Sequence, residues 1–70
     1  MNENISIVVN GEIRGAAAGA TVTELLKALG IQGGRVAIER NWQILPRAVW
    51  SETGVADGDR YEIVQFVGGG

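Results

Sequence analysis

The chain predicts an α+β fold, a mixed sheet of four to five strands with one helix packed on one face. Three observations carry that prediction. β-branched, partly alternating segments stand near both ends of the sequence, at 5–9 and 61–67. A single well-capped amphipathic segment, opening at Thr21, lies between them. An Asn-Gly pair follows the first apolar run directly, so that run is one arm of a hairpin.

In Ile5-Ser6-Ile7-Val8-Val9 the alternation puts Ile5, Ile7 and Val9 on one face and Ser6 and Val8 on the other. Asn10-Gly11 suits a type I′ turn, which needs positive φ at both central residues. The return strand, Glu12-Ile13-Arg14, is short, and the Gly15–Ala20 stretch allows only a few more residues of it. Thr21 and Glu24 form a Thr-x-x-Glu capping box. Val22, Leu25, Leu26 and Leu29 then fall at i, i+3, i+4 and i+7, one apolar stripe on a helix of about nine residues. Gly30 suits the left-handed residue that closes a helix, with Ile31 folding back onto Leu26. So short a helix is not stable alone and must pack on a sheet.

Gln32-Gly33-Gly34 reads as a loop; no phosphate-loop pattern surrounds it. Val36–Glu39 is a third strand with Val36 and Ile38 inward, Asn41-Trp42 a turn, and Gln43–Leu45 a short return strand ended by Pro46. Arg47–Trp50 fits one helical turn, and Asp57-Gly58-Asp59 another turn. Tyr61–Val67 is the longest and most apolar strand. Such a strand belongs in the centre of the sheet, parallel to the first, because an edge that apolar invites aggregation. Hairpin, crossover helix, strands and a central final strand together make a β-grasp. Residues 1–67 are expected to form this single domain and 68–70 a flexible glycine tail.

Composition narrows the function. Seventy residues hold one small core. There are no cysteines and no histidines, so thiolate chemistry, the commonest general base and the commonest nitrogen metal ligand are absent. No metal site and no catalytic residue is expected. Six basic residues against eight acidic ones give a net charge of −2, which attracts neither nucleic acid nor an anionic membrane. No apolar run reaches the roughly 20 residues of a membrane span, and Met1-Asn2-Glu3-Asn4 is no signal-peptide start. The expected location is cytoplasmic.

Four features invite a functional reading. Asp57 and Asp59 are too few ligands for calcium and read as turn caps. Lys27, the only lysine, falls among the polar positions of the helix, as a solvated charge does. Trp50 reads as core; Trp42, at a turn, divides evenly between core and partner anchor. If Ile5, Ile7 and Ile63 face the helix, then Val8, Val64 and Phe66, with Ala37 alongside, form an apolar patch on the opposite face, a candidate partner-binding surface. Ordinary strand composition, with scattered surface apolar residues, is the competing explanation.

The sharpest feature is Gly68-Gly69-Gly70. Glycines lack Cβ atoms and are costly to order, but they can thread a narrow channel and present the carboxylate of Gly70 to another protein. A carboxylate that attacks the α-phosphate of ATP becomes an acyl-adenylate, from which sulfide or a thiol displaces AMP. A frayed terminus explains the same composition equally well.

Val36-Ala37-Ile38-Glu39-Arg40-Asn41, then Ile44-Leu45-Pro46-Arg47-x-x-Trp50, Asp57-Gly58-Asp59-Arg60-Tyr61-Glu62-Ile63-Val64, and the closing Phe66-Val67-Gly68-Gly69-Gly70 together resemble the ThiS family of sulfur carriers in thiamine biosynthesis. The resemblance covers nearly the whole chain. It implies a ubiquitin-like β-grasp and a protein co-substrate in place of an enzyme. It implies that Gly70 is adenylated by a ubiquitin-activating-type (ThiF-like) adenylyltransferase using ATP and magnesium, with no cofactor held by the carrier itself. A cysteine desulfurase or another sulfur donor then supplies the thiocarboxylate sulfur, which thiazole synthase (ThiG-like) takes for the thiazole ring. Gly69 and Gly70 match the family's diglycine, and the family's exposed sheet face matches Val8, Val64 and Phe66. Trp42 departs from the family, where a glycine commonly follows the Asn; a type I′ turn is strained with Trp there. The alternatives are a molybdopterin synthase small subunit (MoaD-like), a ubiquitin-like modifier joined to lysines through Gly70, and a passive binding module using the sheet face alone.

Overall fold

A computed structural model describes residues 4–31 and 34–66. Among these residues, five strands and one helix follow the order β1 (Asn4–Val9), β2 (Glu12–Ala17), α1 (Val22–Ala28), β3 (Arg35–Arg40), β4 (Gln43–Ile44) and β5 (Arg60–Phe66), with a 3-10 turn at Arg47–Val49. The strands form one sheet in the order β2-β1-β5-β3-β4. β5 is thus the central strand. It runs parallel to β1 and antiparallel to β3, which makes the sheet mixed.

The helix forms where its caps allow. Thr21 Oγ1 accepts from Glu24 N–H at 3.2 Å, and Glu24 Oε1 accepts from Thr21 N–H at 2.8 Å, a complete capping box. At the other end Gly30 takes φ +78°. Gly30 N–H donates to the Lys27 carbonyl and Ile31 N–H to the Leu26 carbonyl, the two bonds of a Schellman motif. The helix has seven residues, two fewer than the apolar stripe suggests. Leu29 belongs to the stripe but serves as the C-cap and is only half-buried.

The core lies between α1 and one face of the sheet. Val22, Leu25 and Leu26 pack into the same cluster as Ile7, Ile38, Ile63 and the fully buried Tyr61. Each such side chain removed from water contributes about 1.5–3 kcal/mol. Trp50 and Val55 close the cluster. The Trp50 indole N–H donates to the Leu45 carbonyl at 2.9 Å, so its polar edge is satisfied inside the core. Val55 is held there by its N–H bond to the Ala20 carbonyl, a contact with no local sequence signal.

β2 runs to Ala17, three residues past Arg14, because β1 offers it partners as far as Asn4. β4 ends at Ile44, just before the half-buried Leu45 and then Pro46. No helix is long and apolar enough to cross a membrane among the described residues.

Candidate functional site

The candidate site is the open face of the sheet together with the strand that leads toward the C-terminal glycines. Directly opposed residues in an antiparallel pair point to the same side. Ile38 opposes Ile63, and both are buried under α1. Ala37 opposes Val64 and Arg35 opposes Phe66, so these four point the other way. Val64 is 51% exposed and Phe66 54%. Val8 shares their face but is half-buried, opposite Ile13 on β2.

Two further apolar residues belong to this face. Ile13 is 79% exposed and Ile44, opposite Glu39 on β3, is 80% exposed. Ile13 was within reach of sequence reasoning. A two-residue Asn-Gly turn fixes the hairpin register, and that register sets Ile13 beside Val8. Ile44 had a weaker signal, because its side depends on the conformation of the Asn41-Trp42 turn.

The residues of that turn are not core. Trp42 is 73% exposed, and both Asn41 and Trp42 take positive φ, +50° and +72°. For a tryptophan this backbone is strained. Its ring is nevertheless engaged: the Arg60 guanidinium lies 3.8 Å from the ring centroid. Arg60 also donates to Glu62 at 2.7 Å. Its Nη1 is buried without a hydrogen-bond acceptor among the described residues, and the indole face offers that charge a quadrupole in place of one.

The base of β5 is fixed by a buried charge. Asp59 Oδ2 accepts from Tyr61 Oη at 2.8 Å, Ala56 N–H at 2.9 Å and Arg40 Nε at 3.0 Å, and its Oδ1 accepts from Asn41 Nδ2 at 3.1 Å. Burial disfavours the Asp59 charge, but the hydrogen bonds from Ala56, Asn41, Tyr61 and Arg40 outweigh it and hold the carboxyl below the usual carboxylate range. Burial also pulls on Arg40, and its bonds to Asp59 and Tyr61 reverse that and raise its pKa. Burial and then the bond to Asp59 push the Tyr61 hydroxyl up to about 12. Asp57 caps the Ser6 N–H at 2.8 Å, and Gly58 between the two takes φ +85°. Both aspartates are therefore turn and frame residues.

Among the described residues no group of three or more Asp, Glu, His or Cys side chains could hold a metal ion. Lys27 is exposed on α1. A groove of about 470 Å³ lies between β2 and α1, where Ala16, Ala18 and Ala28 leave space and Arg14 and Glu24 are the charged residues of its lining. Gly68, Gly69 and Gly70 lie outside the described residues, as does Val67. What the structure places is the strand that precedes them. β5 reaches Phe66 from the middle of the sheet, along the open face that carries Val64 and Phe66 among Arg35, Glu39, Arg60 and Glu62.

This arrangement has known relatives. The sequence pattern of the ThiS family matches residues 3–70. The chain is 38% identical over 66 residues to the sulfur carrier protein ThiS of Escherichia coli (strain K12), covering 94% of this chain and 100% of that protein. It superposes on the crystal structure of the thiamine biosynthesis protein ThiS from Geobacter metallireducens with a TM-score of 0.80 and 39% identity, covering 94% of this chain and all of that one. It is also 46% identical over 66 residues to a thiazole synthase of Paramagnetospirillum magneticum, where 94% of this chain spans only 20% of the relative's length.

Proposed function

This chain belongs to the ThiS family, and from that membership we propose that it is a sulfur carrier protein of thiamine biosynthesis, a protein co-substrate and not a catalyst. The observation that carries this reading is that the family match runs through Gly69 and Gly70, just beyond the central strand β5.

The working group is the carboxylate of Gly70. One of its oxygens attacks the α-phosphorus of ATP, pyrophosphate leaves, and an acyl-adenylate forms. Sulfide attacks the activated carbonyl carbon and AMP leaves with the bridging oxygen, so that a thiocarboxylate remains. ATP and magnesium are used by the activating partner, a ubiquitin-activating-type adenylyltransferase. The domain at 1–67 supplies recognition and the tail at 68–70 supplies reach, since glycines without Cβ atoms fit a narrow channel. Val8, Val64 and Phe66 form the docking surface for partners, with Ile13 and Ile44 extending it toward the two sheet edges. The thiocarboxylate then gives its sulfur to thiazole synthase. A stretch similar to this chain within a protein of that name supports this acceptor, because carrier and consumer then share one polypeptide.

The test is the intact mass of the protein purified from cells that also express its activating enzyme and a sulfur donor. The expected result is a gain equal to one oxygen replaced by sulfur, localised to Gly70. Unmodified mass alongside adducts on other proteins' lysines overturns the reading in favour of a modifier. Unmodified mass with no adducts, despite active partners, overturns it in favour of a passive binding module. A sulfurated chain that serves molybdopterin synthase and not thiazole synthase keeps the chemistry and moves the pathway.

A further inference from the structure

Strand β5 outruns its parallel neighbour. The β1–β5 ladder ends with Val9 opposite Tyr61, and Asn10 N–H then donates to the Tyr61 carbonyl at 2.9 Å. β5 continues to Phe66, and from Glu62 onward β3 is its only strand partner among the described residues. On the β1 side the Asn10 side chain takes over. Its Oδ1 accepts from Ile63 N–H at 2.7 Å, and its Nδ2 donates to the Ile63 carbonyl at 3.0 Å. A primary amide carries the same donor and acceptor as a peptide group. Asn10 therefore extends β1 by one residue of surrogate strand, and it does so from a turn position at φ +50°.

We propose that Asn10 is a positioning residue: by gripping both backbone groups of Ile63 it fixes the direction in which β5 delivers Gly70 to the adenylating partner. This rests on the reading above that Gly70 is the group adenylated. Past Ile63, the strand from Val64 to Phe66 is paired, among the described residues, on the β3 side alone. Two-stranded ribbons are marginally stable and twist more than the interior of a sheet. An error of direction at Ile63 is carried through Val64 and Gln65 to Phe66, the last described residue before the tail. When only a fraction of molecules holds the competent direction, apparent affinity falls by that fraction. The loss then appears in KM and spares kcat, because a tail that has been seated reacts as before.

The variant that isolates the grip is Asn10→Gly. Glycine adopts φ +50° without strain, so the turn survives and only the amide is lost. The experiment measures ATP–pyrophosphate exchange by the purified adenylyltransferase with the wild-type chain, Asn10→Gly and Asn10→Asp. Hydrogen exchange of the Ile63 and Ile38 amides is followed in parallel, and circular dichroism reports the folded fraction. Asn10→Gly is expected to raise the KM for the carrier about tenfold, the factor that about 1.4 kcal/mol represents, with kcat unchanged. Ile63 exchange quickens while Ile38 keeps its protection. Asn10→Asp, which keeps the acceptor for Ile63 N–H but turns a carboxylate oxygen toward the Ile63 carbonyl where Nδ2 donated, is expected to leave the KM raised. An unchanged KM in Asn10→Gly overturns the proposal, as does a loss that follows the folded fraction or an Ile63 amide that exchanges as in the wild type. No exchange reaction with the wild-type chain overturns the sulfur-carrier reading itself, and this proposal with it.

Discussion

Asn10–Gly11 and Asn41–Trp42 both join antiparallel strands through two residues at positive φ, +50° and +84° in the first turn, +50° and +72° in the second. Both turns also lean on β5 through an asparagine side chain. Asn10 grips Ile63 from the β1 side. Asn41 accepts from Arg60 N–H at 2.9 Å and donates to Asp59 from the β3 side. They differ in how the second residue is tolerated. Gly11 needs no help, since it has no Cβ to strain. Trp42 needs a partner, and Arg60 is stacked on its ring. The first turn is thus specified by its own two residues, whereas the second is held by a charged network from elsewhere in the chain. Backbone preference and tertiary contact reach the same geometry by separate routes.

The largest way to break the comparison is Asp59→Ala. It leaves the fully buried Tyr61 hydroxyl and the half-buried Arg40 without their acceptor, and one unsatisfied buried group alone costs about 1–3 kcal/mol. A domain of this size has roughly 4–10 kcal/mol in total. Urea denaturation should show a folded fraction that collapses at low denaturant, with the β3–β4 turn affected more than the β1–β2 turn.

Acid should part the two turns in the same direction. The Asp59 carboxyl is held below the usual carboxylate range in the folded chain. The unfolded chain therefore binds the proton more readily, and the stability Asp59 contributes is present above the unfolded pKa and lost as pH falls through the folded one. Amide shifts around Asn41 should move in that acid window while those around Asn10, which bonds only backbone groups, stay fixed. Tyr61, raised from 10.0 to about 12, gives the opposite arm. Its contribution is present below pH 10 and disappears as pH rises toward 12.

A smaller effect is expected from Gly11→Ala. A Cβ at Gly11 meets nothing within 4 Å, so the cost is backbone strain alone, about 1–2 kcal/mol. Thermal unfolding measures it, and a neutral result would show that the first turn is not specified by its glycine.

The smallest effect sharpens the comparison most. In the wild-type background Trp42→Gly relieves strain of about 1–2 kcal/mol. It also loses a cation–π contact of about 0.5–1 kcal/mol and raises the freedom of the unfolded chain by about 0.4–1 kcal/mol, so the net change should be near zero. In an Arg60→Ala background there is no contact left to lose, and the same substitution should stabilise by about 0.5–1 kcal/mol more than in the wild type. Equal effects in both backgrounds would mean that the stack does not offset the strain.

Much of the fold is legible in the order of the residues. The Asn10-Gly11 hairpin, the Thr21–Glu24 capping box, the Gly30 cap and the central, parallel placement of β5 all follow from local chemistry and one argument about edges. The opposite orientations of Ile63 and Val64 follow from period two. The reach of β2 to Ala17 was less legible, since its small residues carry little strand preference and β1 alone decides how far they pair. Trp42 was ambiguous for a related reason: no local pattern announces that Arg60 lies against it.

By itself the sequence determined the elements, their inward faces and the glycine ending, because period, caps and turn residues act within a few positions of one another. Only the tertiary structure decided that Asp59 gathers Arg40, Asn41 and Tyr61, that Asn10 completes β5 at Ile63, and that Ile13 and Ile44 join Val64 and Phe66 on one open face. Asn10 and Ile63 are 53 positions apart, and Arg40 and Asp59 are 19 apart. Charge and hydrogen-bonding capacity can be read from each residue alone, but which donor meets which acceptor is set by strand order and register, and those exist only once the sheet has closed.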